Sequence, residues 1–169
     1  GQGGAYFTDP GQSDYFKRIG CVYYVKYDED EPALQLIQDG IAYPNGITLS
    51  PDGQFIYVAE FNTNSLVCIP SAAYTLGCAT PYVFARMDGG HGPDGITVDA
   101  DGNLYVAHLE AKEVLVFDKD GFQIERIPAP EDADIFVDNL CIHDGYLYIC
   151  EFGSSNIYRI AVTAETGEK

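Results

Sequence analysis

YPNGITLSPDGQFIYVAE at residues 43–60 and GPDGITVDADGNLYVA at residues 92–107 follow one plan. A polar residue and a glycine (Asn45-Gly46, Asp94-Gly95) lead into a short apolar run. An Asp-Gly pair follows (Asp52-Gly53, Asp101-Gly102), and a second apolar run ends on a polar residue. Asp-Gly between two runs rich in β-branched and aromatic residues is a hairpin signal, because the turn requires positive φ. Both stretches therefore predict two antiparallel strands joined by a tight turn.

The plan recurs outward in both directions. Its second strand returns in Gly3-Gly4-Ala5-Tyr6-Phe7-Thr8-Asp9 and in Asp144-Gly145-Tyr146-Leu147-Tyr148-Ile149-Cys150-Glu151. The aligned tyrosines, at 6, 57, 105 and 148, are 51, 48 and 43 residues apart. Its first strand returns in Val137-Asp138-Asn139-Leu140-Cys141-Ile142. Third strands are expected at 22–25, 66–69, 114–117 and 157–160, and fourth strands at 34–37, 82–85 and 123–127. No segment sustains a 3.6-residue period. Four short strands per unit at this spacing is the pattern of β-propeller blades.

The expected fold is all-β: a β-propeller of about three and a half four-stranded blades, a single partial domain over residues 1–169. Its units run over approximately 1–43, 44–91, 92–136 and 137–162, followed by a polar tail at 163–169 that should fray. The first unit lacks its innermost strand and the last its outermost. An open ring leaves two apolar blade faces and strand edges uncovered. The missing blades then come from a second copy, from a separate complementary half, or from a removed N-terminal half. A four-blade ring closed by pairing the C-terminal strand with the first unit is the competing reading.

Composition narrows the function classes. Nine Lys and Arg against 26 Asp and Glu give a net charge of −17, which argues against nucleic-acid partners and against docking on an anionic membrane. The 46% hydrophobic and 21% charged content is that of a globular chain. No apolar run approaches the roughly 20 residues of a membrane helix. GQGGAYFTDP at the start lacks the basic and apolar regions of a signal peptide, and the compartment stays open between cytoplasm, slightly favoured, periplasm and exterior. The five cysteines show no CxxC spacing, so a structural zinc site is not expected. Cys68 and Cys78 flank a loop and either bridge or, the favoured reading, remain free thiols. The acidic run at 28–31 reads as a solvated loop.

In a propeller the first strand of each blade lines the central channel. Asn45, Asp94 and Asp138 hold the same blade position, 49 and 44 residues apart. Three oxygen-bearing side chains converging on an axis suit a hard divalent cation such as calcium or magnesium. The competing reading makes Asn-Gly and Asp-Gly simple turn formers at a strand start. A second polar set, Asp9, Glu60, His108 and Glu151, ends the second strands. From it, Glu60 and His108 are candidate substrate contacts, His108 also as a proton relay. His91, in Gly89-Gly90-His91-Gly92, is a third candidate substrate contact, placed to overhang the channel mouth. No GxSxG elbow, Walker loop or HExxH motif is present.

With AYFTDP (5–10), VLVFDKDG (114–121) and LYICEFG (147–153) added to the two long stretches, the chain resembles the regucalcin/gluconolactonase (senescence-marker-protein-like) family of six-bladed propeller lactonases, over its C-terminal half only. The resemblance implies part of a six-bladed ring. It also implies a metal-dependent lactone hydrolase, acting on the carboxylic ester of a small-molecule lactone. Calcium is favoured by the oxygen-only ligands, with zinc or magnesium as alternatives. Asn45 and Asp94 fall on two of the family's three ligand positions. The family's Glu ligand and its substrate-contacting Asn and Arg have no counterpart here, and Asp138 is not a standard ligand. The resemblance makes Asp94 both ligand and catalytic base, an awkward pairing, because a carboxylate beside a cation is a weak base. The alternative is a non-catalytic propeller scaffold or the inactive half of a split lactonase, and strictosidine-synthase-like propellers are a weaker comparison. Fold alone does not choose among these.

Overall fold

The computed structural model describes residues 3–27, 32–75 and 77–162. The expectations for the acidic run at 28–31 and the tail at 163–169 lie outside them. The chain folds into four sheets of sequential antiparallel strands. The first holds β1 (Gly4–Asp9), β2 (Gly20–Lys26) and β3 (Ala33–Ile41). The second holds β4 (Pro44–Leu49), β5 (Phe55–Glu60), β6 (Ser65–Pro70) and β7 (Tyr82–Arg86). The third holds β8 (Gly92–Val98), β9 (Leu104–Leu109), β10 (Glu113–Phe117) and β11 (Gln123–Pro128). The fourth holds β12 (Val137–His143), β13 (Tyr146–Glu151) and β14 (Asn156–Ala161). A 3₁₀ turn at Phe61–Thr63 is the one helical element among the described residues. The expected partial propeller is what the chain forms. The competing self-closed ring is not: among the described residues β14 pairs with β13 and leaves β1 untouched.

The Asp-Gly pairs close the hairpins as expected. At the tightest, both Asp144 (φ 47°) and Gly145 (φ 75°) take left-handed conformations, and the register runs directly from His143↔Tyr146. A two-residue turn of that kind matches the right-handed twist of its strands.

Three core clusters lie between successive blades, and strand alternation divides side chains among them. In β5, Ile56 and Val58 point to the first sheet and meet Val22 and Ile41. Tyr57 and Ala59 point the other way and join Leu104, Val106, Leu115 and Phe117 of the third sheet. In β9, Tyr105 and Ala107 face the fourth sheet, with Val137, Leu140, Leu147 and Ile149. A middle strand covered on both faces has to be apolar at nearly every position, which is why FIYVAE and LYVAHL read as runs rather than as alternating patterns. Each such buried Leu, Ile or Val contributes about 1.5–3 kcal/mol.

Among the described residues, the outward faces of the first and last sheets have no such cover. Register places Phe7, Tyr23 and Leu36 in one row on the first sheet, with Leu34 beside them 61% exposed. On the last sheet Ile157 is 71% exposed. Cys68 is buried and Cys78 exposed, and both are free thiols.

Candidate functional site

Asn45, Asp94 and Asp138 stand at the start of β4, β8 and β12, the three strands that pack side by side along the inner edge of the blades. All three lie in a break of register. Between Pro44↔Glu60 and Ile47↔Val58, β4 carries one residue more than β5. The same excess occurs in β8 between Pro93↔His108 and Ile96↔Val106, and in β12 between Val137↔Glu151 and Asn139↔Cys150. A β-bulge of this kind bends the strand and re-aims a side chain. The repeated bulge thus turns three polar residues out of the ladder at one height in three successive blades.

The glycines beside them have a different job from the one expected of turn formers. Neither Gly46 nor Gly95 has a positive φ. A Cβ on Gly95 would lie 2.7 Å from both the Asn139 Cα and the Asp138 carbonyl oxygen. A Cβ on Gly46 would lie 2.9 Å from the Gly95 Cα. Glycine is there so that neighbouring inner strands can touch backbone to backbone, which draws the polar residues together. From the first sheet, the Thr8 hydroxyl donates to the Asn45 carbonyl at 2.7 Å.

The electrostatics match this convergence. Burial pushes the Asp94 carboxyl up to about 6, and the nearby charge of Asp138 pushes in the same direction. The Asn45 side-chain amide, within hydrogen-bonding reach of that carboxylate, opposes the rise. Asp138 is also raised, first by burial and then by the charge of Glu151, against the pull of the backbone N–H groups of Asp138 and Asn139. Its Oδ1 is shut off from solvent and has no hydrogen-bond partner among the described residues. No cluster of three His, Cys, Asp or Glu side chains forms a metal site among those residues. The inner-strand set is instead two carboxylates and one amide. Half-buried carboxylates close enough to repel each other, with one oxygen orphaned, fit a hard cation.

Glu60 and His108 are placed differently. The Glu60 carboxylate is 5% exposed as a residue and is engaged on all sides. Its Oε1 accepts from the Ala42 N–H at 2.8 Å, its Oε2 accepts from the Thr63 hydroxyl at 2.5 Å, and the Arg18 guanidinium lies 3.5 Å away. His108 is wholly buried. Its Nε2 sits 3.1 Å from Asn64 Oδ1, and its Nδ1 faces Glu113, itself paired with Arg126 at 2.6 Å. Burial holds the imidazole below its usual range. Both side chains are internal struts, which argues against the substrate contact expected of them. His91 lies on the rim just before β8, exposed, with Nδ1 3.4 Å from Glu110 and its ring 5.1 Å from that of Phe61.

Two residues of this rim escaped the sequence reading. Asn64 (φ 51°) joins His108 to the 88–91 loop by donating to the Gly89 carbonyl at 2.6 Å. Arg18 lies in the 10–19 loop, which is fastened over the same end where the Tyr43 N–H donates to Ser13 Oγ at 2.9 Å. That loop has no counterpart in the other units, so the repeat gave no signal for it. A cleft lies at the opposite end, lined by Tyr6, Tyr24, Asp52 and Gln54, and Asn45, Asp94 and Asp138 are not among the residues that line it.

Comparison with known proteins agrees with this architecture. The family model described as the SMP-30/Gluconolactonase/LRE-like region matches residues 1–150. A lactonase drp35 of Staphylococcus epidermidis is 39% identical over 139 residues, which cover 79% of this chain and 41% of that protein. The chain therefore spans about two fifths of the length of the curated relatives it matches. A calcium-binding regucalcin of Agrobacterium tumefaciens superposes with a TM-score of 0.71 at 25% identity, over 88% of this chain and 50% of that one. A gluconolactonase of Xanthomonas campestris does so with a TM-score of 0.70 at 27% identity, over 89% and 51%.

Proposed function

The chain belongs to the SMP-30/gluconolactonase/LRE-like family, and from that premise we propose that it is the portion of a divalent-cation-dependent lactone hydrolase that supplies Asn45 and Asp94 to the cation. The carrying observation is the Asn45–Asp94 pair itself: equivalent residues of two blades, brought within reach by matching bulges and by Gly46. The outer faces of the first and last sheets are where the remaining blades would dock, from a complementary half or a second copy.

Asn45 offers a neutral oxygen and Asp94 a charged one, a hard set that favours calcium over zinc. A cation bound there would polarise the lactone carbonyl and favour charge on its oxygen. Asp94 faces the same space. A bound cation would hold its carboxyl down and make it a weak base, so it would take a proton from the attacking water only as substrate loosens its coordination. Asn45 orients it. The closed packing of β4, β8 and β12 fixes the separation of the two side chains, so orientation is set before substrate arrives.

The test is hydrolysis of a panel of γ- and δ-lactones, followed by proton release, with and without calcium and a chelator. Calcium-dependent turnover that Asp94→Ala abolishes supports the reading. Turnover undiminished in Asp94→Ala defeats it. Ring assembly and cation binding without turnover of any lactone would favour the scaffold alternative.

A further inference from the structure

The proposed reading leaves Asp138 without a task, yet its surroundings single it out. The main chain of β12 makes the same bulge as β4 and β8, and it makes it at Asp138. β12 is held against β8 by the Gly95 contact with the Asp138 carbonyl and with Asn139. Asp138 Oδ1 is closed to solvent and unpartnered among the described residues. A carboxylate oxygen held away from water without a donor costs about 1–3 kcal/mol, and more when it is charged, and a cation offsets that cost.

Its neighbours do not provide one. The Glu151 carboxylate is a like charge, and it is already occupied by the backbone N–H groups of Gly153 and Ser154 and by the Ser154 hydroxyl. Asp94, the other charged neighbour, is an acid as well. Asp94 is near enough to feel the charge of Asp138, and carboxylates so placed repel unless a cation sits among them. The geometry points to Asp138 as a third ligand from this chain for the cation held by Asn45 and Asp94, making the centre a two-carboxylate site for an ion of calcium's hardness. Calcium takes six to eight oxygens, so three from these blades leave room for the rest of the ring, water and substrate. The inference rests on the proposed cation site and extends it to a residue outside the pair that carries it.

The experiment titrates calcium into the intact protein by calorimetry and, separately, loads europium as a luminescent stand-in. Europium lifetimes in light and heavy water count the waters on the bound ion. Asp138→Asn keeps the shape of the side chain and removes its charge. It should weaken calcium binding roughly tenfold or more, with the melting temperature of the calcium-free protein unchanged or raised. Asp138→Ala should admit about one extra water to the bound europium, the vacancy of one ligand. Calcium affinity within twofold of the parent in Asp138→Asn, together with an unchanged water count in Asp138→Ala, overturns the inference. If Asp94→Asn abolishes binding in that same case, the proposed site survives and Asp138 alone is excluded. If the parent binds no calcium at millimolar concentration, both readings fall together.

Discussion

Gly46 presses its Cα against the backbone of the next blade, where a Cβ would lie 2.8 Å from the Ile96 nitrogen and closer still to the Asp94 carbonyl oxygen. Backbone cannot swing aside as a long side chain would. Gly46→Ala should therefore cost about 1–3 kcal/mol, the range for overpacking, and should also move Asn45 away from Asp94. Gly53 is the control, with φ at 71° and nothing within 4 Å of an added Cβ. Gly53→Ala should cost about 1 kcal/mol through backbone strain alone. Denaturant melts should show both losses, whereas calcium titration should show weakened binding only in Gly46→Ala. Equal calcium affinity in the two variants would disconnect the close packing from the site.

Asp94 gives the chelated protein a pH signature. Its carboxyl is raised from 3.8 to about 6 on folding, so the folded state holds the proton more tightly than the unfolded one. Stability is then favoured at acid pH and falls as pH rises from about 4 to about 6, with the full penalty present above that window. A two-unit shift corresponds to about 3 kcal/mol, and partial solvent screening brings this to roughly 1–2 kcal/mol. Asp94→Asn should remove the penalty, so that the variant melts higher than the parent near neutral pH in chelator and matches it near pH 4. A variant that melts lower than the parent near neutral pH would contradict a buried, repelled carboxylate.

His108 works in the opposite direction. Burial depresses its basicity below the ordinary 6.5, so the neutral ring contributes stability above that value and loses it as pH falls, when the unfolded chain takes up the proton first. His108→Gln deletes the ring that fills the space under Gly90 and replaces it with a smaller side chain. It should cost about 2–4 kcal/mol at alkaline pH, and less at pH near 5. If His108 is a strut, KM for any hydrolysed lactone should stay within a factor of about two while the folded fraction drops. A large rise in KM at unchanged stability would restore it as a substrate contact.

The fold was legible because its signals are local and repeated. The Asp-Gly hairpins and the aligned tyrosines at 57, 105 and 148 mark the second strand of three sheets, and Tyr6 marks β1, the first strand of the sheet that lacks an innermost one. The meaning of Asn45-Gly46 and Asp94-Gly95 was only half legible. The residue types suggested converging oxygens, but what draws them together is the close approach of Gly46 and Gly95 to the next blade's backbone, a contact that no single unit encodes. Glu60 and His108 looked like an accessible polar rim because they end strands. Their burial follows from Thr63, Arg18 and Asn64, three residues in turns and loops where the repeat is irregular.

The outward face of the first sheet makes a last prediction. Phe7 stacks on Tyr23 at 5.5 Å, and the register continues the row to Leu36. In the middle blades the positions equivalent to Phe7 and Tyr23 are covered, for Val58, Val106 and Leu115 are buried there. A row of this kind left open to water favours association, since its apolar area returns roughly 25 cal/mol per Å² when covered. The chain should therefore sediment as a species heavier than its 18.5 kDa. Leu36→Glu places a charge at the β3 end of the row, where burying it would cost several kcal/mol, and should shift the chain to monomer. Because Leu36 points away from the second sheet, the inner core should be untouched and the melting temperature of the monomer unchanged. A parent chain that is already monomeric at high concentration would show that this face has no affinity for a copy of itself and would leave a complementary half as the partner it fits.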